Sequence, residues 1–417
     1  MNLGILTIGN ELLSGRTADS NSSFIAKELA PLGWRVTKIM SVGDEENAIK
    51  GALDHLFLSS QGVIATGGLG PTADDLTTAC IAQAFGRKLI LHEPALRDIQ
   101  DRFARLNLPW TENNTKQAFF PEGATPLPNP AGTAWGFYLP VKDQFVIVIP
   151  GVPREVQRIL PEKVLPLLKS LFPGEAPAAE TVTIKLFGLP EARVDAALGD
   201  VDFAGMDVQV GFYPNFPENH LVLTAHQEEA AARKNSLVLA QAEVEKRLGS
   251  HIFAYNEDTL EGLVGRYLTE KQLKLALAES CTGGLIAHRL TNQPGSSLYF
   301  DRSLVVYSNQ AKTQLLGIPE EVIGAYGAVS RETVILMAEG VLKESGADLG
   351  LAVTGIAGPA GGTESKPVGT VFVALADGNQ TISRQFRFPW DRLRNKTLFS
   401  QVALLMLLKY LRGENTP

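Results

Sequence analysis

Cysteine is scarce in this 417-residue chain: there are two, Cys80 and Cys281, far apart and without metal-ligand spacing. That usage points to a reducing, cytoplasmic setting rather than a disulfide framework or a cysteine-built zinc site. Lysine and arginine never run together into a basic stripe, and the net charge is -7. Nothing electrostatic therefore recommends a nucleic-acid partner. No apolar stretch reaches the length of a membrane span, so no membrane role is expected. The first residues, with strand-like Leu3 to Ile8, lack the basic flank and long apolar core of a secretory signal. Histidine is also sparse, at six residues, which narrows the choice of general bases.

What is present is α/β alternation on a chain long enough for two or three domains. Leu3 to Ile8 reads as a buried strand, with a loop from Gly9 to Gly15 at its carboxyl end. A helix from about Asn21 to Leu32, a strand from Trp34 to Met40 and a helix from about Asn47 to Phe57 lead to a third strand, Gly62 to Thr66. This order predicts a parallel sheet with helices on both faces, and ligands at its carboxyl edge. The third strand runs into a loop where Gly67, Gly68 and Gly70, with Thr72, let backbone approach a phosphate-like group, while Asp74 and Asp75 could hold a hard divalent cation. It is not a Walker loop, since no Gly-Lys-Ser or Gly-Lys-Thr follows. Asp74 could instead cap a helix starting at Leu76.

A helical stretch from Glu155 to Leu171 ends in turn-rich Phe172 to Ala179, which marks a domain boundary. Beyond it, strands at Thr181–Phe187, Val208–Phe212 and His220–His226, with helices at Glu191–Leu198 and about Glu228–Leu248, make a small α+β unit. His220 and His226 read as strand residues, because no third metal ligand lies nearby. A third region returns to α/β: a helix over Asn256–Glu270, strands at Leu304–Tyr307, Leu349–Val353 and Val368–Ala376, a sheet ending at Phe386–Phe388, and a helix over Asp391–Leu411. Gly327 to Ser330 caps a further helix that runs to about Glu344.

Within that region, Leu275-Ala276-Leu277-Ala278 is short enough for a buried strand, and an amphipathic pattern starts at Leu285. Ser280 thus falls at a strand-to-helix turn, where free helix N–H groups could bind an anion or a developing oxyanion. Gly283 and Gly284 leave the approach clear. The plain alternative is that Ser280 or Thr282 merely caps the helix. A serine needs a base, and His288 lies two helical turns from the active end. Lys312, at the start of a helix after a buried strand, is the better base if desolvation lowers its pKa; Tyr307 at the strand end could relay the proton or hold the lysine. Taken locally, Lys312 is more often a solvated surface residue and Tyr307 a core aromatic. Cys281 is a rival nucleophile that would otherwise pack inward as a small apolar residue.

Several of these segments, in this order, resemble the CinA family (competence/damage-inducible protein A). They are Gly9-Asn10-Glu11-Leu12-Leu13, Asp19-Ser20-Asn21, Gly43-Asp44, Gly67 to Thr77, Asn129 to Ala134 and Pro150 to Glu155. The later ones are Ala278 to Gly284, Tyr307 to Lys312, Gly327 to Ser330 and Val353 to Pro359. The resemblance implies a molybdopterin-binding-like domain over about 1–172, a KH-like α+β unit over about 178–250 and a PncC-type amidase domain over about 256–413. The middle unit lacks the Gly-x-x-Gly loop and basic surface of RNA-binding KH modules, which suits a spacer or oligomerisation element.

For the first domain the resemblance implies ADP-ribose pyrophosphatase activity with Mg²⁺ or a similar divalent cation, and Glu11, Asp19, Asp44, Asp74 and Asp75 as candidate ligands or bases. For the last it implies, without a cofactor, deamidation of nicotinamide mononucleotide (NMN) to nicotinate mononucleotide. There Ser280 is the nucleophile, Lys312 and Tyr307 manage the proton, and Thr282, Gly283, Thr354, Gly355 and Arg394 bind the nucleotide, with Arg394 on phosphate. A homodimer is the expected assembly. The competing expectation is that the first domain only binds a pterin or nucleotide, and that the protein acts as a partner in competence or recombination.

Overall fold

The computed structural model describes residues 1–173, 179–227 and 229–414, apart from the side chain of Pro31. Residues 174–178 of the expected boundary, and Glu228 at the expected start of a helix, lie outside the described residues. The chain divides into two compact units, Met1–Thr181 with Thr224–Ser236, and Val182–Leu223 with Leu237–Pro417.

The first unit is built on a six-stranded sheet in the order Arg35–Val42, Asn2–Ile8, Gly62–Thr66, Gln144–Ile149, Gly136–Val141, Thr125–Leu127. The first four strands are mutually parallel, and the last two pairings, Gln144–Ile149 with Gly136–Val141 and Gly136–Val141 with Thr125–Leu127, are antiparallel. Leu3, Ile5 and Ile64 face one apolar layer while Leu6, Ile8, Val63 and Ala65 face another, so both faces are covered by helices. Asn2–Ile8 lies between the two strands that follow it, so the chain turns opposite ways at its carboxyl end and opens a crevice there. Gly67, at φ 103°, closes that end, and a Cβ on it would lie 2.1 Å from Ile8 O. Only glycine fits.

The second unit holds a four-stranded sheet, Val208–Asn215, Glu218–Ala225, Glu180–Leu186, Ile252–Tyr255, and a five-stranded sheet, Phe300–Val305, Leu275–Glu279, Leu349–Gly355, Thr370–Ala376, Thr381–Arg387. In the larger sheet the first three strands are parallel, and Leu275–Glu279 is again flanked by the two strands that follow it. Its carboxyl end is a second crevice of the same kind, and Ser280 is the next residue. The Leu-Ala alternation has a packing reason. Leu275 and Leu277 face the helices Leu260–Glu270 and Arg392–Arg412, while Ala276, Ala278 and Ala352 face Arg331–Ser345. Small residues let that helix approach: a Cβ on Gly350 would lie 2.3 Å from Ala338 O.

The mixed α/β architecture is as expected, with local differences. The strand expected at Leu304–Tyr307 runs Phe300–Val305, freeing Val306 and Tyr307 to leave the sheet edge; the helix expected from Asn256 starts at Leu260, with Thr259 accepting from Gly262 N. Strand Ile252–Tyr255 was not expected, because four residues are too few to show a clear alternation of their own. Among the described residues no helix is long and apolar enough to cross a membrane.

Candidate active site

At the end of strand Leu275–Glu279, Ser280 N donates to Val353 O (3.1 Å) and Gly283 N to Ser280 O (3.2 Å), so residues 280–283 form a tight turn. Gly283 (φ 62°) and Gly284 (φ 92°) supply the left-handed backbone that turn requires. The helix that follows, Leu285–Thr291, is capped neither by Ser280 nor by Thr282. Glu279 does this: its fully buried carboxylate accepts from Gly284 N (2.9 Å), Ile286 N (3.1 Å), Ala287 N (2.9 Å) and the Ser303 hydroxyl (3.2 Å). The expectation that free N–H groups of this helix await an oxyanion is thereby corrected, since Glu279 takes them. Glu279→Ala would strand three N–H groups, that of Ile286 buried and those of Gly284 and Ala287 partly so. It should lower unfolding free energy by about 2–4 kcal/mol in urea titrations, with Glu279→Gln intermediate.

Glu279's capping frees Ser280 for another partner. Lys312, 1% exposed, comes from helix Asn309–Leu316, which is capped by the Ser308 hydroxyl. Its Nζ lies 3.2 Å from Ser280 Oγ, 2.8 Å from Val306 O and 3.2 Å from Tyr307 O. Burial pushes the amine below the ordinary lysine value of 10.5, against an opposing effect of the Cys281 side chain. A neutral amine has two hydrogens and one lone pair. In that form, with two carbonyls taking the hydrogens, the lone pair would be left to face the serine hydroxyl. Cys281 is packed in the apolar core, where burial pushes its thiol up to about 12. Its burial favours the protonated thiol at neutral pH, a poor nucleophile.

Tyr307 departs from expectation. Its carbonyl, not its phenol, holds the lysine; the ring is 61% exposed, and its hydroxyl accepts from Arg392 Nη2 (2.9 Å). Arg392 Nη1 donates to Gly358 O (2.7 Å), which ties helix Arg392–Arg412 to the sheet's carboxyl edge. Arg394 stacks 5.1 Å from the Trp390 ring and 5.8 Å from Phe216, and pairs with Asp391 at 3.5 Å. Lys396, which the sequence did not single out as a ligand, has its Nζ 3.6 Å from where a Gly283 Cβ would sit. Thr282 Oγ1 is buried in the same turn without a hydrogen-bond partner. Thr354 Oγ1 donates to Ala328 O (2.8 Å), and Gly355 is required by packing, since its Cβ would lie 2.7 Å from Thr370 O. His288 bonds Asn292, away from the serine.

In the first unit the crevice gathers four of the five expected carboxylates. Burial pushes Asp44 above the ordinary carboxylate value, and the charges of Glu11, Asp74 and Asp75 add to this, against a hydrogen bond from Asn10 N (2.9 Å). Asp75 Oδ2 accepts from Thr72 N (2.9 Å), and the Thr72 hydroxyl lies between Asp74 (2.5 Å) and Asp75 (2.6 Å), holding Asp74 below its ordinary value. Asp74 therefore does not cap the next helix, whose start at Thr77 has no side-chain cap. Asp19 is engaged elsewhere, accepting from the Ser22 N–H and hydroxyl. Among the described residues no three His, Cys, Asp or Glu side chains are drawn together as a ready metal cage.

Beside Gly68, Gly70 and Asp75 opens a cavity of about 440 Å³, walled by Phe119, Phe120 and Trp135. Gln117, also lining it, has its buried Oε1 unpartnered. Neither Gln117 nor Trp135 carried a local signal in the sequence. His220 pairs with Glu218 (3.0 Å) on its strand.

Comparison with known proteins gives three family profiles. They are "Probable molybdopterin binding domain" over residues 4–170, "Damage-inducible protein CinA KH domain" over 181–254 and "CinA C-terminal domain" over 257–411. A CinA-like protein of Syntrophus aciditrophicus is 54% identical over 418 residues, covering 100% of both chains. One of Geobacter metallireducens is 43% identical, covering 97% of this chain and 98% of its own. Among solved structures, competence/damage inducible protein CihA from Agrobacterium tumefaciens is 42% identical, covering 37% of this chain and 95% of that one, with a TM-score of 0.35.

Proposed function

The chain belongs to the CinA family, and on that footing we propose that its C-terminal domain is an amidohydrolase that deamidates NMN through Ser280. The observation that carries this assignment is the 3.2 Å approach of Lys312 Nζ to Ser280 Oγ, with the two other lysine contacts on carbonyls. In the proposed reaction Ser280 Oγ adds to the carboxamide carbon while Lys312 takes its proton. Lys312 returns that proton to the departing nitrogen, ammonia leaves, and nicotinate is held as a serine ester. Lys312 then deprotonates a water that attacks the ester, releasing nicotinate mononucleotide and restoring the serine hydroxyl. Purified protein with NMN should release ammonia and nicotinate mononucleotide in equal amounts; no ammonia above a protein-free control refutes the assignment.

For the N-terminal domain we propose metal-dependent hydrolysis of ADP-ribose to AMP and ribose 5-phosphate. Its support is the crevice where the charges of Glu11, Asp74 and Asp75 reach Asp44, beside a cavity of about 440 Å³ lined in part by Asp75. Asp44 and Asp75 are the residues we would place on the metal. A bound divalent cation would polarise diphosphate oxygens and activate water. ADP-ribose turnover should require Mg²⁺ or a similar ion, stop with chelator, and fall by at least about 10²-fold in Asp75→Asn. Calorimetric binding of ADP-ribose without product would instead favour a binding module.

A further inference from the structure

The middle α+β segment carries a long hairpin, strands Val208–Asn215 and Glu218–Ala225, with Phe216 at its tip. The ring is 50% exposed and lies 5.8 Å from the Arg394 guanidinium, which also lies 5.1 Å from the half-exposed ring of Trp390. This placement is anchored. Glu218, two residues beyond Phe216, accepts from Gln401 Nε2 (3.1 Å). Fully buried Gln401 in turn accepts from Arg289 Nη2 (2.7 Å), and Arg289 also bonds Ser400 (2.8 Å) and pairs with Glu261. Arg289 stands on Leu285–Thr291, the helix that leaves the serine turn. A polar chain thus runs from the hairpin through helix Arg392–Arg412 to the nucleophile's own helix.

The charges at the start of that last helix call for an explanation. Arg392, Arg394 and Lys396 crowd its first turns, and its first turn contains no acidic residue. Cations there oppose the helix dipole and one another. Asp391 caps the helix and answers part of this. An anion bound there would relieve the remainder. The same turns touch the site at two points, Arg392 on the Tyr307 hydroxyl and Lys396 beside Gly283. The Arg394 side chain is 55% exposed, with N–H groups open to a ligand.

We propose that Phe216 is a positioning residue of the amidase site: the hairpin tip and Trp390 hold the Arg394 guanidinium where it receives the substrate's phosphate. The middle segment then serves substrate selection in addition to any spacing role. This rests on the amidase assignment above and specifies its substrate class as phosphorylated. A guanidinium restrained by two rings loses less freedom on binding an anion.

The test uses the full-length protein. For Phe216→Ala, KM for NMN should rise about 5- to 10-fold with kcat within about twofold, and Phe216→Tyr should restore it. Calorimetry in a Ser280→Ala background should show the same loss for NMN and none for nicotinamide riboside, which lacks the phosphate. Unchanged NMN binding in Phe216→Ala, an equal loss for the riboside, or no NMN binding to the Ser280→Ala protein overturns the proposal. Absence of NMN turnover by the parent protein would refute the amidase assignment instead, and the calorimetric comparison would still judge Phe216.

Discussion

Replacing Ser280 by alanine should cut ammonia release from NMN by at least about 10⁴-fold, while Cys281→Ala stays within about threefold of the parent. The asymmetry follows from two neighbouring environments. Ser280 has a desolvated amine at 3.2 Å to take its proton, whereas the Cys281 thiol is packed in the core and pushed up to about 12. A buried, protonated thiol contributes packing and no attack. Steady-state ammonia assays on both variants decide the matter, and trapping of a serine-linked nicotinate by rapid acid quench would identify the intermediate. A Ser280→Ala protein with parental turnover, or a Cys281→Ala protein without any, would reverse the assignment.

The second large effect concerns Lys312. The reactive form is the neutral amine, so kcat/KM should rise with pH and level off above the lysine's pKa. Because burial lowers that pKa, the inflection should fall below the ordinary 10.5. Below it, activity should drop about tenfold per pH unit, the slope of a single deprotonation. Lys312→Arg should lose about 10³-fold and show no such rise, since a guanidinium does not give up its proton in this range. Lys312→Met keeps the length, removes the base and should be equally inactive while remaining folded, because an apolar chain replaces a buried amine. A Lys312→Met protein with substantial activity, or a pH-rate profile of the parent whose inflection lies at or above 10.5, would exclude the desolvated lysine as base.

Much of the fold was legible beforehand because burial writes short-range patterns. The continuous apolar run Leu3–Ile8 and the Leu-Ala alternation at Leu275–Ala278 mark strands covered on both faces, and glycines 67, 283 and 284 mark turns where backbone must adopt positive φ. Boundaries were less legible, as at Phe300–Val305, because the apolar residues of Leu304–Tyr307 extend past the last paired position. Glu279 shows the limit within the site. A carboxylate at the end of an apolar strand looks like an exposed stop, and its role as a cap depends on a helix that folds back over it. Tyr307 lies beside the lysine, yet which of its oxygens faces Nζ depended on how the chain leaves the sheet.

The sequence by itself determined the α/β alternation, the glycine turns, and the chemical types available at them: a hydroxyl, an amine and a set of carboxylates. Tertiary structure alone decided which of these meet. It brought the Lys312 amine to Ser280, spent the helix N–H groups on Glu279, and laid Phe216 over Arg394. The physical reason is range. Backbone preference and side-chain period act over a few neighbouring residues, whereas hydrogen bonds, desolvation and ring stacking depend on distances of a few ångströms between groups far apart in the chain.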